Sequence, residues 1–211
     1  MLKVLITSFA LLISSVLYAE SNPTKDLEQQ LKGFTTMKAN FKQVMLNEKG
    51  KPMQNSSGSM VLKRPGFFRW YTHQPNRQIL VVKKDKLYIY DIDLEQLTIN
   101  EMNMQQDSAP AVLLSDSTSN LDDVYTITQK PGKAKESTWY ILNPKAEQEN
   151  FVWMKLLFKK SRLLNMDFKD KMGQVTKIKF SNIVLNKPIK EKIFEIKPPK
   201  NVDVIDNTAK E

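Results

Sequence analysis

The sequence predicts a mainly β fold of the α+β type, in which one antiparallel sheet curls into a barrel or a sandwich. Short runs rich in β-branched and aromatic residues recur at near-regular spacing along the chain. Turns rich in Gly, Pro and charged residues separate these runs, and only two segments carry helical patterns. No composition shift or Pro/Ser-rich linker divides the chain, so we expect a single domain.

A first helix is predicted over residues 23–33. Asn22 is a favoured N-cap residue, and proline follows it at the first helical position. Leu27, Leu31 and Phe34 are then spaced by four and three residues, which places them on one apolar stripe.

The hydrophobic period then changes from helical to two, which is typical of strands. The predicted strands are residues 37–45, 59–63, 67–72, 78–82, 87–91, 96–100, 123–129, 138–142, 151–158, 162–169, 174–185 and 193–197. A second short helix is predicted over residues 110–115, inside the long connection between two strands.

Several predicted strands are apolar on both faces. Residues 80–82, 87–90 and 151–158 do not alternate as strands with one solvated face do. One explanation is a curved sheet with an apolar inner side, closed by the two helices as a lid over an empty apolar cavity. The alternative, which periodicity alone does not exclude, is an ordinary packed core.

Residues 1–19 have the pattern of a secretory signal peptide. Lys3 supplies a positive start, residues 4–16 carry no charge, and Ala19 precedes Glu20. The apolar run is shorter than the roughly 20 residues of a membrane span. We expect cleavage after Ala19, a mature domain of residues 20–211, and no lipid attached there because no Cys is present.

The residue counts exclude several classes of site. The chain has no Cys, one His and a formal net charge of +9, and its only four Arg are Arg64, Arg69, Arg77 and Arg162. Disulfides, thiolate nucleophiles and zinc ribbons are thereby excluded. Since no nucleotide-binding or hydrolase motif is present, we expect neither an enzyme nor a cofactor.

Three alternatives stay open at this point. A lipid hydrolase would have to use His73, which lies in a predicted loop. The Asp91-x-Asp93 pair suggests either a metal site or a turn held by local hydrogen bonds. The basic net charge suggests nucleic-acid binding as a third alternative. The Lys residues are dispersed along the chain, however, which favours a solvated surface or mild electrostatic steering toward acidic partners or anionic lipid headgroups.

An ordered set of motifs resembles the LolA family, periplasmic carriers of outer-membrane lipoproteins. The motifs are Phe41-Lys42-Gln43, Lys63-Arg64-Pro65-Gly66-Phe67-Phe68-Arg69-Trp70 with Gln74-Pro75, residues 87–98 (LYIYDIDLEQLT), residues 170–176 (DKMGQVT) and residues 194–205 (FEIKPPKNVDVI). Ile92 and Asn201 depart from the family pattern, but both lie in turns.

The resemblance implies a half-open antiparallel β-barrel with helices across its mouth. Its apolar interior would hold the acyl chains of triacylated lipoproteins released from an inner-membrane ABC transporter. The carrier would pass them, as a monomer, to an outer-membrane receptor of similar fold. That receptor is itself a lipoprotein and needs a Cys, so this chain is interpreted as the carrier. A binding module for other lipids or glycolipids is the alternative.

The resemblance also implies residue roles. Arg64 would hold the lid through hydrogen bonds to the backbone of the helices, and Phe68 would handle cargo, whereas a surface arginine and a core phenylalanine are the alternatives. The other candidates for acyl-chain binding are Trp70, Leu80, Val82, Tyr88, Tyr90, Leu97, Ile99, Leu113 and Leu114. A shift of one residue in strand register would move any of the strand candidates to the other face.

Overall fold

A computed structural model describes residues 22–101, 114, 121–146 and 151–208. The helices are α1 (Pro23–Lys32), α2 (Leu121–Val124) and a 3-10 helix (Glu191–Phe194). The strands are β1 (Thr36–Leu46), β2 (Pro52–Lys63), β3 (Phe67–Gln74), β4 (Gln78–Lys83), β5 (Lys86–Asp91), β6 (Gln96–Glu101), β7 (Tyr125–Pro131), β8 (Ser137–Pro144), β9 (Phe151–Lys159), β10 (Arg162–Asp170), β11 (Val175–Leu185) and β12 (Asp203–Asp206).

All described strands belong to one sheet, in the order β12-β6-β5-β4-β3-β2-β1-β11-β10-β9-β8-β7. Neighbouring strands are antiparallel, except that β12 runs parallel to β6. The edge strands β7 and β12 do not pair with each other, so the sheet remains open. The prediction of a mainly β, half-open antiparallel architecture is therefore confirmed.

One side of the sheet, here called the inner face, carries the helices. Leu27 and Leu31 of α1 are fully buried in an apolar cluster with Met37, Phe68 and Leu156 from the strands. Side chains from neighbouring strands meet on this face because directly opposite residues in an antiparallel pair point to the same side of the sheet. The main core therefore lies between α1 and the sheet.

A second apolar cluster covers the other side, here called the outer face. Phe67, Val81 and Phe194 are buried there, and the ring centroids of Phe67 and Phe194 are 5.3 Å apart. The chain after β11 crosses this face through the 3-10 helix before it forms β12. Strands β3 to β5 are apolar on both faces because the C-terminal segment covers one and the inner core contacts the other.

The predicted helix over residues 23–33 is confirmed. The Asn22 side-chain oxygen accepts hydrogen bonds from the backbone N–H of Thr24 (3.0 Å) and of Lys25 (3.1 Å), as an N-cap does. Of the predicted helix over residues 110–115, only Leu114 is described; it is helical and fully buried. Leu113 and the predicted signal peptide lie outside the described residues.

Three strand predictions need correction. Residues 193–197 do not form a strand, because the chain turns through the 3-10 helix to bury Phe194. Strand β2 begins at Pro52 rather than residue 59, since its polar half pairs with β1 as far as Leu46. Strand β12 was missed, because its four residues are all exposed and show no alternation.

Among the described helices, none combines the length and apolar character needed to cross a membrane.

Gly58 generates a stability prediction. A Cβ added there would lie 1.9 Å from the Tyr71 carbonyl oxygen and 2.6 Å from Cζ of Phe41. We expect Gly58→Ala to lower the free energy of unfolding by about 1–3 kcal/mol, as overpacked cores do. Urea denaturation followed by Trp fluorescence measures this. The control is Ser57→Ala, one residue away on the half-exposed outer side, and equal unfolding midpoints for the two variants would contradict the packing described here.

Candidate functional site

Arg64 lies in the turn between β2 and β3, at the end of the sheet where α1 ends. Its backbone N–H donates to the carbonyl of Thr35 at 2.8 Å, which fixes the turn against the residue that precedes β1. Its guanidinium Nε donates to the Leu114 carbonyl at 2.9 Å, and Nη1 donates to the carbonyls of Leu31 and, at 3.4 Å, of Phe34. One side chain therefore joins the sheet, the last turn of α1 and the segment that contains Leu114.

The surroundings of Arg64 suit a guanidinium group. The last carbonyls of a helix have no partner within the helix, and the helix dipole favours a cation at that end. The guanidinium carbon also lies 4.7 Å from the centroid of the Phe34 ring, within the range of a cation–π interaction. The hydrogen bonds that the family resemblance implied for Arg64 are present, and they exclude a purely solvated surface arginine.

Further hydrogen bonds hold α1 at both ends. Near its start, the Thr24 hydroxyl donates to the Asp122 carboxylate of α2 at 2.6 Å. Beyond its end, the Asn186 amide donates to the Gly33 carbonyl at 3.1 Å and accepts from the Thr35 N–H at 2.9 Å. Helix α1 and Leu114 are called the lid below, since both pack on the inner face.

The lid is closed and packed onto the sheet. Leu27, Leu31 and Leu114 have no exposed surface and belong to the same apolar cluster as the inner-face side chains. Tyr140 is also buried in this cluster, and its burial raises the pKa of the phenol. The predicted apolar inner face beneath a helical lid is present, and in this conformation buried side chains of the lid pack on it.

A pocket of about 300 Å³ opens on the inner face beside the packed core. Phe68, Trp70 and Leu80 form its apolar floor. Trp70 stacks on Phe41, with ring centroids 3.8 Å apart, and lies 6.1 Å from Phe68. Its remaining lining is polar and comprises Gln43, Gln54, Ser56, Thr72, Asn76, Gln78 and Asp91. The inner face thus changes from apolar near the lid to polar at this pocket.

The structure brings together half of the predicted acyl-chain residues. The inner face or the lid carries Phe68, Trp70, Leu80, Val82 and Leu114. Four others lie on the outer face, so their predicted placement is wrong: Tyr88, Tyr90, Leu97 and Ile99.

The error comes from strand register. Val82 pairs with Leu87, and Leu80 pairs with Ile89, so Leu87 and Ile89 are the inner-face residues of β5. The signal was present in the sequence: a two-residue turn at 84–85 joins β4 to β5, and such a turn fixes which residues oppose each other. Counting outward from that turn would have placed Tyr88 on the outer face.

The polar residues considered for catalysis or metal binding have local structural partners. His73 is exposed, packs edge-on against Tyr71 and lies 3.4 Å from the Ser59 hydroxyl. Asp91 accepts from the Leu94 N–H at 3.0 Å, and Asp93 accepts from Arg77, which lowers the pKa of the Asp93 carboxyl. Across residues 22–101, 121–146 and 151–208, no cluster of three or more His, Asp or Glu residues could hold a metal ion.

Comparison with known proteins identifies relatives over most of the chain. The chain is 37% identical to an outer-membrane lipoprotein carrier protein of Legionella pneumophila (strain Corby) over 179 residues, 85% of this chain and 87% of the relative. It is 35% identical to a protein of the same name from Hahella chejuensis, over 94% of this chain and 95% of the relative. A protein of that name from Coxiella burnetii (strain CbuK_Q154) is 32% identical over 93% of both chains.

A solved structure supports the fold. A conserved protein from Thermus thermophilus superimposes with a TM-score of 0.58 at 14% identity, over 88% of this chain and all of that chain. The family model described as outer membrane lipoprotein carrier protein LolA matches residues 32–197, which include the Arg64 turn and most of the sheet. The chain belongs to the LolA family.

Proposed function

We propose that this protein is a periplasmic carrier that holds the acyl chains of triacylated lipoproteins on the inner face of the sheet. The observation that carries the proposal is an apolar inner face covered by a lid, with one arginine hydrogen-bonded to both parts of that lid. The names of the relatives and of the family model support lipoproteins as the cargo.

The free energy of acyl-chain transfer explains why a carrier needs such a face. Each methylene moved from water to an apolar environment contributes about 0.8 kcal/mol, so an anchor with two or three acyl chains cannot cross an aqueous compartment unshielded. In the closed conformation, Leu27, Leu31 and Leu114 occupy the apolar face themselves. Lifting the lid would expose this face and extend the floor that Phe68, Trp70 and Leu80 already provide.

A carrier must also release its cargo. Because Arg64 hydrogen-bonds to Leu31, Phe34 and Leu114 only when the lid is closed, opening the lid requires those bonds to break. The free energy needed to break these bonds lowers the affinity for cargo, because a ligand that binds only the open state binds more weakly when that state is less populated. Arg64 thus tunes the carrier toward release.

Delivery requires a donor and an acceptor. We infer that the cargo comes from an inner-membrane ABC transporter and passes to an outer-membrane lipoprotein receptor. The absence of Cys supports the carrier side of this exchange, because such a receptor needs a lipidated Cys. We also propose that residues 1–19 are a cleaved export signal and that the protein acts as a monomer.

Incubating the purified protein with spheroplasts tests this function. We expect lipoproteins to appear in the supernatant as a one-to-one complex with the protein. A photo-crosslinking amino acid placed at Leu80 should capture the lipoprotein, because Leu80 lines the inner-face pocket. The matched control is Ile79, the preceding residue, whose side chain packs on the outer face.

Both variants should release lipoprotein, and only the Leu80 variant should be crosslinked to it. Release with equal crosslinking at both positions would place the cargo elsewhere than on the inner face. Release of glycolipids or phospholipids without lipoproteins would favour a general lipid-binding module and contradict the proposed cargo.

Substitution of Arg64 should change the release step. We expect Arg64→Leu to accept lipoprotein as well as the unmodified protein does, yet to transfer it to receptor-bearing membranes at least about tenfold less, since a charge-assisted hydrogen bond contributes about 1.5–3 kcal/mol. The measurement is transfer of radiolabelled lipoprotein from the preformed complex.

Arg77→Leu is the matched control, because Arg77, in the turn between β3 and β4, forms an exposed ion pair with Asp93 in the turn between β5 and β6. It should transfer cargo normally. Normal transfer by Arg64→Leu would refute the role proposed for this arginine.

A further inference from the structure

Strands β10 and β11 separate at one end of the sheet. Their ladder starts at Asn165 paired with Lys179 and continues to Lys169 paired with Val175, so residues 162–164 and 180–184 face each other without ladder pairing. A register shift in β10 follows Leu163, and Asn182 of β11 has a positive φ of 51°. The Arg162 guanidinium spans the gap and donates to the Ile183 carbonyl. This opening is called the β10–β11 split below.

The split forms a pocket of about 640 Å³. Its apolar lining consists of Leu164, Phe180, Ile183 and Val184. Its cations are Lys159, Lys160 and Arg162, and no acidic residue is among the residues that line it. A pocket of this size is within the range that holds small amphiphilic ligands, about 300–1,000 Å³.

The charges around the split are predominantly positive. Lys160 has an ion pair with Glu136 at 3.3 Å, but both side chains are more than half exposed and such pairs contribute little. On the outer face beside the split, Lys42 of β1 lies directly opposite Lys179 of β11, an unfavourable pairing of like charges. Asp167 of β10 lies opposite Lys177 and Lys155, and burial raises the pKa of its carboxyl. An anion at this face would lower the free energy of that arrangement.

We propose that the β10–β11 split is a second lipid site, which binds an anionic phospholipid of a bilayer surface. The phosphate would lie among Lys159, Lys160 and Arg162, and part of one acyl chain would contact Leu164, Phe180 and Val184. Such a ligand matches both halves of the pocket, whereas a free anion would leave the apolar lining unused. The split shares no lining residue with the inner-face pocket, although Phe180 belongs to the inner-face apolar cluster and its ring centroid lies 6.3 Å from that of Trp70. The proposal does not rest on the proposed cargo.

Vesicle flotation tests the proposal with the complete mature chain. We expect binding to vesicles of phosphatidylcholine mixed with phosphatidylglycerol, little binding to phosphatidylcholine alone, and weaker binding at higher salt. The double variant Lys159→Gln/Lys160→Gln should lose affinity about 25-fold, because each Lys near an anionic surface contributes about fivefold. The matched control is Lys49→Gln/Lys51→Gln, two exposed lysines in and beside the turn between β1 and β2.

A pair of substitutions at Val184 tests the pocket itself. Val184 is 45% exposed, so polar side chains are tolerated there. Val184→Glu should abolish binding to the phosphatidylglycerol vesicles, and Val184→Gln should weaken it only modestly, with both variants retaining wild-type circular dichroism.

Three results would overturn the proposal: no preference for phosphatidylglycerol, equal losses in the two double-lysine variants, or full competition by inorganic phosphate at matched ionic strength. The last result would identify a phosphate site without a lipid.

Discussion

In the closed conformation, the guanidinium of Arg64 joins the sheet to both parts of the lid. Its donors reach the carbonyl groups of Leu31 and Leu114, one in each part of the lid, and that of Phe34, which follows α1. A lysine could place a charge there but could not present several donors in a fixed planar arrangement. Because the lid buries Leu27 and Leu31 against the sheet, we propose that the same side chain controls whether the apolar inner face is available to a ligand. In this proposal, local hydrogen bonding is coupled to the affinity for a large apolar cargo.

The two faces of the sheet are covered by different parts of the chain. The inner face is covered by helices held through a few polar contacts, such as the hydrogen bond between Thr24 and Asp122. The outer face of β3 to β5 is covered by the C-terminal segment, which buries Phe194 against Phe67 and ends in a strand paired with β6. In the proposed function the lid leaves the inner face, so the outer face needs a permanent cover, because exposing both apolar faces would lead to aggregation.

Much of this architecture follows from local signals in the sequence. The Asn22 cap and the stripe of Leu27 and Leu31 predict α1, and period-two runs predict most strands, because local geometry fixes both patterns. The faces of β5 could not be read in the same way, because both of its faces are apolar, and only the turn after Lys83 determines which side Tyr88 takes. Strand β6 alternates, but alternation alone does not show that Leu97 and Ile99 face outward. Periodicity could not predict the contact from Arg64 to Leu114, since it joins residues far apart in the chain. The role of Arg64 was suggested by the family resemblance and not by periodicity.

The distance between α1 and the sheet, with and without cargo, tests the central claim most directly. The chain has no Cys, so single cysteines at Gln29 on α1 and at Val152 on β9, both exposed, allow specific spin labelling. Pulsed electron–electron double resonance then reports the distance between the two labels. The account predicts one short distance in the free protein and a longer one in the purified lipoprotein complex. An unchanged distance distribution with lipoprotein bound would contradict it, because the cargo would then be held without the lid leaving the inner face.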